Sequence, residues 1–254
     1  FNNMASEIHK SYIKLKRKNI ELKELNEFRS SLLDTVSHEL RTPLTSIQGY
    51  TSRLMRQDIV INEETKQKSL RIIKEQSEKL KRLIDDLLTI PDIEGMRLRT
   101  INTTVWLDKV LEQSELLLRK CDGHEIIVQM IDDFPPVIAD KGRLEQVFVN
   151  LYENAIKYSY PDSPIFVTVE QQDDKAIIEV KNSCDVIPEK KLKTLFEKFV
   201  RLDDEMTRTT RGTGLGLFIV KGLVEAMNGI IELSSDEEFG FCATITLDIA
   251  EEEE

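Results

Sequence analysis

The sequence predicts an α + α/β chain, a dimeric helical hairpin that forms a four-helix bundle, followed by an α/β sandwich. Three observations lead there. Apolar residues step by seven through the first third, the heptad pattern stops in a short stretch containing Pro and Gly, and β-rich runs then alternate with amphipathic segments.

The heptad series Ile8, Leu15, Leu22 and then Leu33, Leu40, Ile47, Leu54 predicts a coiled-coil helix from Met4 to about Arg56. A second helix is expected from about Glu63 to Ile90, where Ile73, Leu80 and Leu87 repeat the interval and Leu83 and Ile90 fill the neighbouring seam. Two such helices cannot enclose their own apolar stripes. A second copy of the hairpin would cover them, so a homodimer is expected.

Pro91 to Arg99 reads as a linker. Beyond it the pattern predicts a helix around Trp106 to Lys120, a strand at His124 to Met130 and a helix at Lys141 to Tyr158. Strands follow at Ile165 to Glu170 and Ala176 to Val180, then a helix at Leu215 to Met227 and paired strands at Ile230 to Ser234 and Cys242 to Ile249. The expected sheet is mostly antiparallel with its helices on one face.

The 254 residues carry a net charge of −11, which argues against a sequence-independent grip on nucleic acid. Cys121, Cys184 and Cys242 are widely spaced and suggest neither a disulfide framework nor a zinc site. No apolar run approaches the roughly 20 residues that cross a bilayer.

The segment Ser37-His38-Glu39-Leu40-Arg41-Thr42-Pro43-Leu44 puts an imidazole beside a carboxylate on the first helix. With Val36, Leu40 and Leu33 on the seam, His38 should face outward, where a neutral ring nitrogen can attack phosphorus. Glu39 could take the proton of the other nitrogen. Thr42, one turn along, could position a water. Pro43 should break the hydrogen-bond ladder and kink the helix.

A phosphoryl acceptor needs a donor, and the sequence has no GxxxxGK[ST] loop. Asn150, Asn154, Lys157 and Tyr158 instead share one helix face by their i, i+4, i+7 spacing. Gly212-Thr213-Gly214-Leu215-Gly216-Leu217 precedes another helix, so its amides and the helix N-terminus can meet phosphate oxygens. Leu195 to Phe199 and an Arg- and Thr-rich stretch from Val200 to Arg211 lie between them.

Taken together these segments resemble sensor histidine kinases of two-component systems. HELRTPLTSI resembles the H box, the 144–159 helix the N box shared with gyrase, Hsp90 and MutL ATPase domains, LFEKF the F box and GTGLGL the G2 box. The resemblance implies ATP and Mg²⁺ as cofactors. His38 would be the phosphorylated residue, with Glu39 and Thr42 assisting. Asn154, with Asn150, would hold the metal, Lys157 a phosphate, and Tyr158 would lie near the nucleotide, with Gly212, Thr213, Gly214, Leu215 and Gly216 around the phosphates and 200–211 as a lid.

The departure lies in Asn182-Ser183-Cys184-Asp185-Val186-Ile187-Pro188. Ile187 and Pro188 match the family's G1 box, but Asn182 stands for its Asp, and Cys184 and Val186 stand for its two glycines. The family Asp accepts a hydrogen bond from the adenine amino group, and the oxygen of Asn182 can still accept one without charge assistance. The missing glycines matter if the loop needs positive φ or a close backbone approach.

The implied organisation is a HAMP-like signalling helix over 1–27, a dimerisation and phosphotransfer domain over 28–92, a linker over 93–99, an ATP-binding domain over 100–250 and an acidic tail over 251–254. The expected partner is the receiver domain of a response regulator, whose Asp accepts the phosphoryl group and from which Thr42 helps to remove it. The expected place is the cytoplasmic portion of a bacterial inner-membrane sensor, reached only through a further N-terminal region. A nucleotide-weak scaffold is the alternative that the G1 box leaves open. A gyrase-like ATPase would not need the H box.

Overall fold

The structure is a computed structural model that describes residues 12, 15–16, 18–19, 23, 36–56, 61–118, 123–200 and 213–250. The chain forms two compact units, Phe1–Leu83 and Ile84–Glu254. Most of the expected signalling helix, Leu33, the 201–211 part of the expected lid, Gly212, Cys121 and the acidic tail lie outside the described residues.

In the first unit, residues 36–55 form helix α1, and α2 begins at Glu63. Asn62 starts α2 by accepting the Thr65 N–H on its side-chain oxygen at 2.8 Å. Glu63 and Glu64 place negative charge in the first turn, where the helix dipole favours it. Glu63 is held below the usual carboxylate range by its hydrogen bond from Gln67 and by Lys66.

The helix continues through both prolines: Pro43 has no N–H to give to the ladder, and that loss does not end α1. Helix α2 spans Glu63–Glu94 with Pro91 inside it, four residues past the expected end at Ile90. Proline forfeits one backbone hydrogen bond, and the packing of Ile90 and Ile93 on the second unit's core offsets that loss.

The second unit therefore begins with the last turns of α2. Gly222 gives Ile93 its seat: a Cβ there would lie 2.6 Å from the Ile93 side chain. Glu94 forms an ion pair with Lys198, and Gln146 donates to Asp86 at 3.2 Å.

A two-stranded sheet pairs β1 (Thr103–Val105) with β3 (Val137–Ala139). The larger sheet contains β2 (Ile126–Met130), β4 (Ile165–Gln172), β5 (Lys175–Asn182), β6 (Ile230–Asp236) and β7 (Gly240–Asp248) in the order β2-β4-β5-β7-β6. Only β2 and β4 run parallel, so the sheet is mostly antiparallel as predicted. Strands β1 and β3 and the short helix α5 (Glu189–Leu192) were not foreseen, being too brief to show a period.

Helices α3 (Leu107–Leu118), α4 (Lys141–Tyr158) and α6 (Gly216–Ala226) cover the sheet. Phe148, Tyr152, Ile165, Ile178, Ile219, Leu223 and Ile245 are fully buried between the layers. Alternation along β5 sends Ala176, Ile178 and Val180 into this core, and the same period carries Asn182 inward at the strand's end. That polar side chain is only 4% exposed.

Candidate functional site

The first part of the site is on α1. His38 is exposed, as expected, and Thr42 donates its hydroxyl hydrogen to the His38 carbonyl at 3.3 Å. Leu40 is half-buried, whereas Glu39 is 8% exposed and takes the more covered side of the helix. Adjacent helical residues point about 100° apart, and among the described residues the His38 ring and the Glu39 carboxylate share no hydrogen bond. Glu39 must change rotamer to serve the ring.

The second part is built on α4. Asp140 caps its N-terminus, accepting the Arg143 N–H at 3.1 Å on one oxygen and the Ile101 N–H at 2.9 Å on the other. The buried stripe of Leu144, Phe148, Leu151, Tyr152 and Ala155 fixes the helix's rotation. Asn150, Asn154, Lys157 and Tyr158 are consequently half-buried on a neighbouring face. Asn150 donates to the Gln146 carbonyl at 3.0 Å, which leaves its oxygen turned outward. The Lys157 ammonium donates to the Tyr158 hydroxyl at 2.7 Å and lies 4.4 Å from that ring's centre.

Gly216, the first residue of α6, faces this helix. A Cβ on Gly216 would lie 3.3 Å from the Asn150 oxygen and 3.4 Å from the Asn154 nitrogen. The bare backbone leaves a cradle between two amide side chains and a helix start, where oxygen ligands and phosphate-binding N–H groups meet.

Gly214 approaches another partner. Its φ is +69°, and a Cβ there would come within 2.8 Å of the Phe199 backbone, whose N–H donates to the Gly214 carbonyl at 2.8 Å. The 195–199 segment is thereby joined to the 213–216 turn. Thr213 accepts the Leu215 N–H on its hydroxyl at 3.3 Å. Leu215 is wholly buried, so its side chain serves the core rather than a ligand.

The 182–188 loop is tied down from several sides. Tyr160 donates its N–H to the Ser183 carbonyl at 2.9 Å and its hydroxyl to Asp185 at 2.6 Å, a bond that pushes the Tyr160 phenol upward. Ile187 donates its N–H to the Ser235 hydroxyl at 2.9 Å. Neither Cys184 nor Val186 takes a positive φ, so this loop does not require the two glycines for that reason. The room comes from Gly240, at φ +84°, where a Cβ would sit 2.4 Å from the Cys184 nitrogen and 2.9 Å from the Asn182 carbonyl oxygen.

The Ser159 hydroxyl is buried without a partner at this end, and the buried Asn182 amide has only the Cys184 thiol beside it. They belong to neighbouring strands of backbone, since the Tyr160–Ser183 hydrogen bond joins the residue after Ser159 to the residue after Asn182. Unsatisfied buried donors mark a place where a ligand can supply the missing atoms. Ser159, Gln146 and Gly240 were not singled out from sequence. A serine directly after the N-box helix was the available signal for Ser159; Gln146 reaches Asp86 through its side chain and Gly240 acts through backbone clearance, and no spacing reveals either contact.

Residues 28–95 match the His Kinase A phospho-acceptor domain, and residues 139–251 match the histidine kinase-, DNA gyrase B-, and HSP90-like ATPase. The chain is 34% identical over 228 residues to the circadian input-output histidine kinase CikA of Synechococcus elongatus, covering 87% of this chain and 30% of that protein. It is 30% identical over 218 residues to the sensor protein SrrB of Staphylococcus aureus, covering 84% of this chain and 36% of that protein. It therefore spans about a third of the length of these relatives. Among solved structures, the Acinetobacter baumannii histidine kinase AdeS aligns with a TM-score of 0.59 and 25% identity, over 84% of this chain and 98% of that one. With both domain types matched in the order that the H, N, F and G2 boxes lead one to expect, the chain belongs to the sensor histidine kinase family.

Proposed function

We infer that this chain is the core of an ATP-dependent protein-histidine kinase, which phosphorylates His38 and passes the phosphoryl group to an Asp of a response-regulator receiver domain. The observation that carries the reading is the cradle between Gly216, Asn150 and Asn154. Its amide chemistry fits the phosphate end of a nucleotide and a divalent metal, while the buried Asn182 amide and the unpartnered Ser159 hydroxyl fit the base end.

Asn154 and Asn150 would hold Mg²⁺ with waters completing its shell, and the metal would neutralise charge on the phosphates. Lys157 would face a phosphate, while the α6 N-terminus offers backbone N–H donors. A neutral nitrogen of His38 attacks the γ-phosphorus, the bond to the β,γ-bridging oxygen breaks, and ADP leaves. The proton on the other ring nitrogen passes to Glu39 after a rotamer change, or to water. Transfer to the receiver's aspartate regenerates His38. In the reverse role, the Thr42 hydroxyl would leave the His38 carbonyl and orient a water against the regulator's acyl phosphate.

The exposed apolar side chains Leu44 and Leu70 in the first unit support pairing with a second copy. The name of the relative SrrB, a sensor protein, supports a place within a larger sensor; no described helix is long and apolar enough to cross a membrane.

Incubation with γ-labelled ATP and Mg²⁺ tests the reading. Label that is acid-labile, alkali-stable and absent from His38→Ala is expected. A folded protein that binds Mg·ATP and acquires no label would overturn it.

A further inference from the structure

We propose that strand β2 is a docking edge for a second copy of this chain, the two β2 strands pairing antiparallel about a twofold axis at Val128. The proposal concerns the second unit alone and does not depend on the nucleotide reading above.

Strand β2 stands first in the order β2-β4-β5-β7-β6, and among the described residues no further strand lies on its other side. Ile165 donates its N–H to the Glu125 carbonyl at 2.8 Å, and this sets the alternation. Residues 125, 127 and 129 turn their backbone groups to β4, while Ile126, Val128 and Met130 turn theirs to the open side.

Exposed edges are usually blunted by charge, proline or a bulge. Over Ile126–Met130 this edge has none of them: the register with β4 is unbroken, and Ile, Ile, Val, Gln and Met are uncharged. The opposite edge, β6, carries Glu232 and Asp236. Val128 is 41% exposed although it pairs with the buried Val167, and Ile131, just past the strand, is 62% exposed. The edge therefore leaves apolar surface that a partner strand would cover.

The charges flanking the strand select the partner, in a chain whose net charge of −11 otherwise keeps copies apart. An antiparallel pair centred on Val128 sets that residue against itself, Ile126 against Met130 and Ile127 against Gln129. The residues with outward backbone groups then meet one another, as the hydrogen-bonded pairs of an antiparallel ladder require. Two residues beyond each end, His124 of one copy meets Asp132 of the other, and symmetry repeats the contact. His124 donates from Nδ1 to the Ser163 carbonyl at 2.8 Å, which leaves the Nε2–H of the imidazolium for the carboxylate. A centre at Gln129 would set Glu125 against Asp133, and one at Ile127 would set His124 against Met130. Pairing here and pairing in the bundle use different twofold surfaces, so the chain would assemble beyond a dimer.

Sedimentation velocity of the 254-residue chain over about 1–300 µM should show a concentration-dependent association step that Val128→Lys removes. Val128→Lys and Val128→Asp each oppose like charges at the axis, and each should raise the dissociation constant of that step by about tenfold or more, with thermal unfolding unchanged. An equal mixture of the two variants opposes Lys to Asp and should restore the step. Asp132→Lys, outside the strand, should weaken it by about threefold. No association step in the wild-type chain, or one that persists undiminished in Val128→Lys, would overturn the proposal. Association that is lost in both Val128 variants and stays lost on mixing would overturn pairing about this axis.

Discussion

Replacing Gly216 by alanine should separate folding from nucleotide binding. Gly216 has no positive φ and begins α6, so an alanine fits its backbone conformation and restricts the unfolded chain, a gain of about 0.4–1 kcal/mol. The added methyl would meet the Asn150 oxygen at 3.3 Å and the Asn154 nitrogen at 3.4 Å, contacts that two side chains can relieve by moving a few tenths of an ångström. Net stability should change by less than about 1 kcal/mol. Binding is another matter, because the methyl fills the cradle and displaces the two amides that would hold the metal. Disturbing groups around a metal typically costs about 10–100-fold in affinity, or roughly 1.4–2.8 kcal/mol. Thermal unfolding and calorimetric titration with Mg·ATP read the two effects separately. Gly214→Ala is the contrast, since its φ of +69° and a 2.8 Å approach to the Phe199 backbone leave nothing that can move, and stability itself should fall by more than about 1 kcal/mol. Wild-type affinity in Gly216→Ala, or equal destabilisation in the two variants, would refute the reasoning.

Gly222→Ala should push against the Ile93 side chain and lower stability by about 1–3 kcal/mol in urea titrations, and Ile93→Ala in the same chain should recover part of the loss. Tyr152→Phe should leave stability unchanged or raise it by about 1 kcal/mol, because the deleted hydroxyl is buried without a partner. Glu179 is held below its ordinary value of 4.5 by the hydrogen bond from Lys181 at 2.6 Å, with Thr168 also donating. A lowered folded-state value means stability present above pH 4.5 and lost as pH falls through the folded value, so acid unfolding of Glu179→Gln should show a shallower dependence on pH below 4.5.

The long elements were legible in the sequence because each carries many repeats of one period. Helix α4 was expected from Lys141 to Tyr158 and has those bounds, since its apolar stripe spans the whole helix. The inward course of β5 was equally readable, and it extends to Asn182. The end of α2 was not, because Pro91 and Gly95 suggest a break while the compensating contact, Ile93 against Gly222, joins residues far apart in the chain. The site divides the same way. Residues aligned on one helix face, Asn150 to Tyr158, could be grouped by spacing alone. The covered position of Glu39, beside the half-buried Leu40, could not be read from the seam, because burial in a two-helix unit depends on which turns its neighbours cover. The unpaired state of the Ser159 hydroxyl depends on backbone registry between separate segments, which single-sequence periodicity does not carry.

Gly240 shifts where mutational tolerance should be found. Clearance for the bend at 182–184 is supplied from the opposite strand, so the freedom to vary and the obligation to stay small reside on different segments of the chain. Residue 240 must stay bare because the backbone of Asn182 and Cys184 occupies the space its side chain would fill. A signature confined to 182–188 would miss this requirement, whereas one that pairs the loop with the start of β7 would include it.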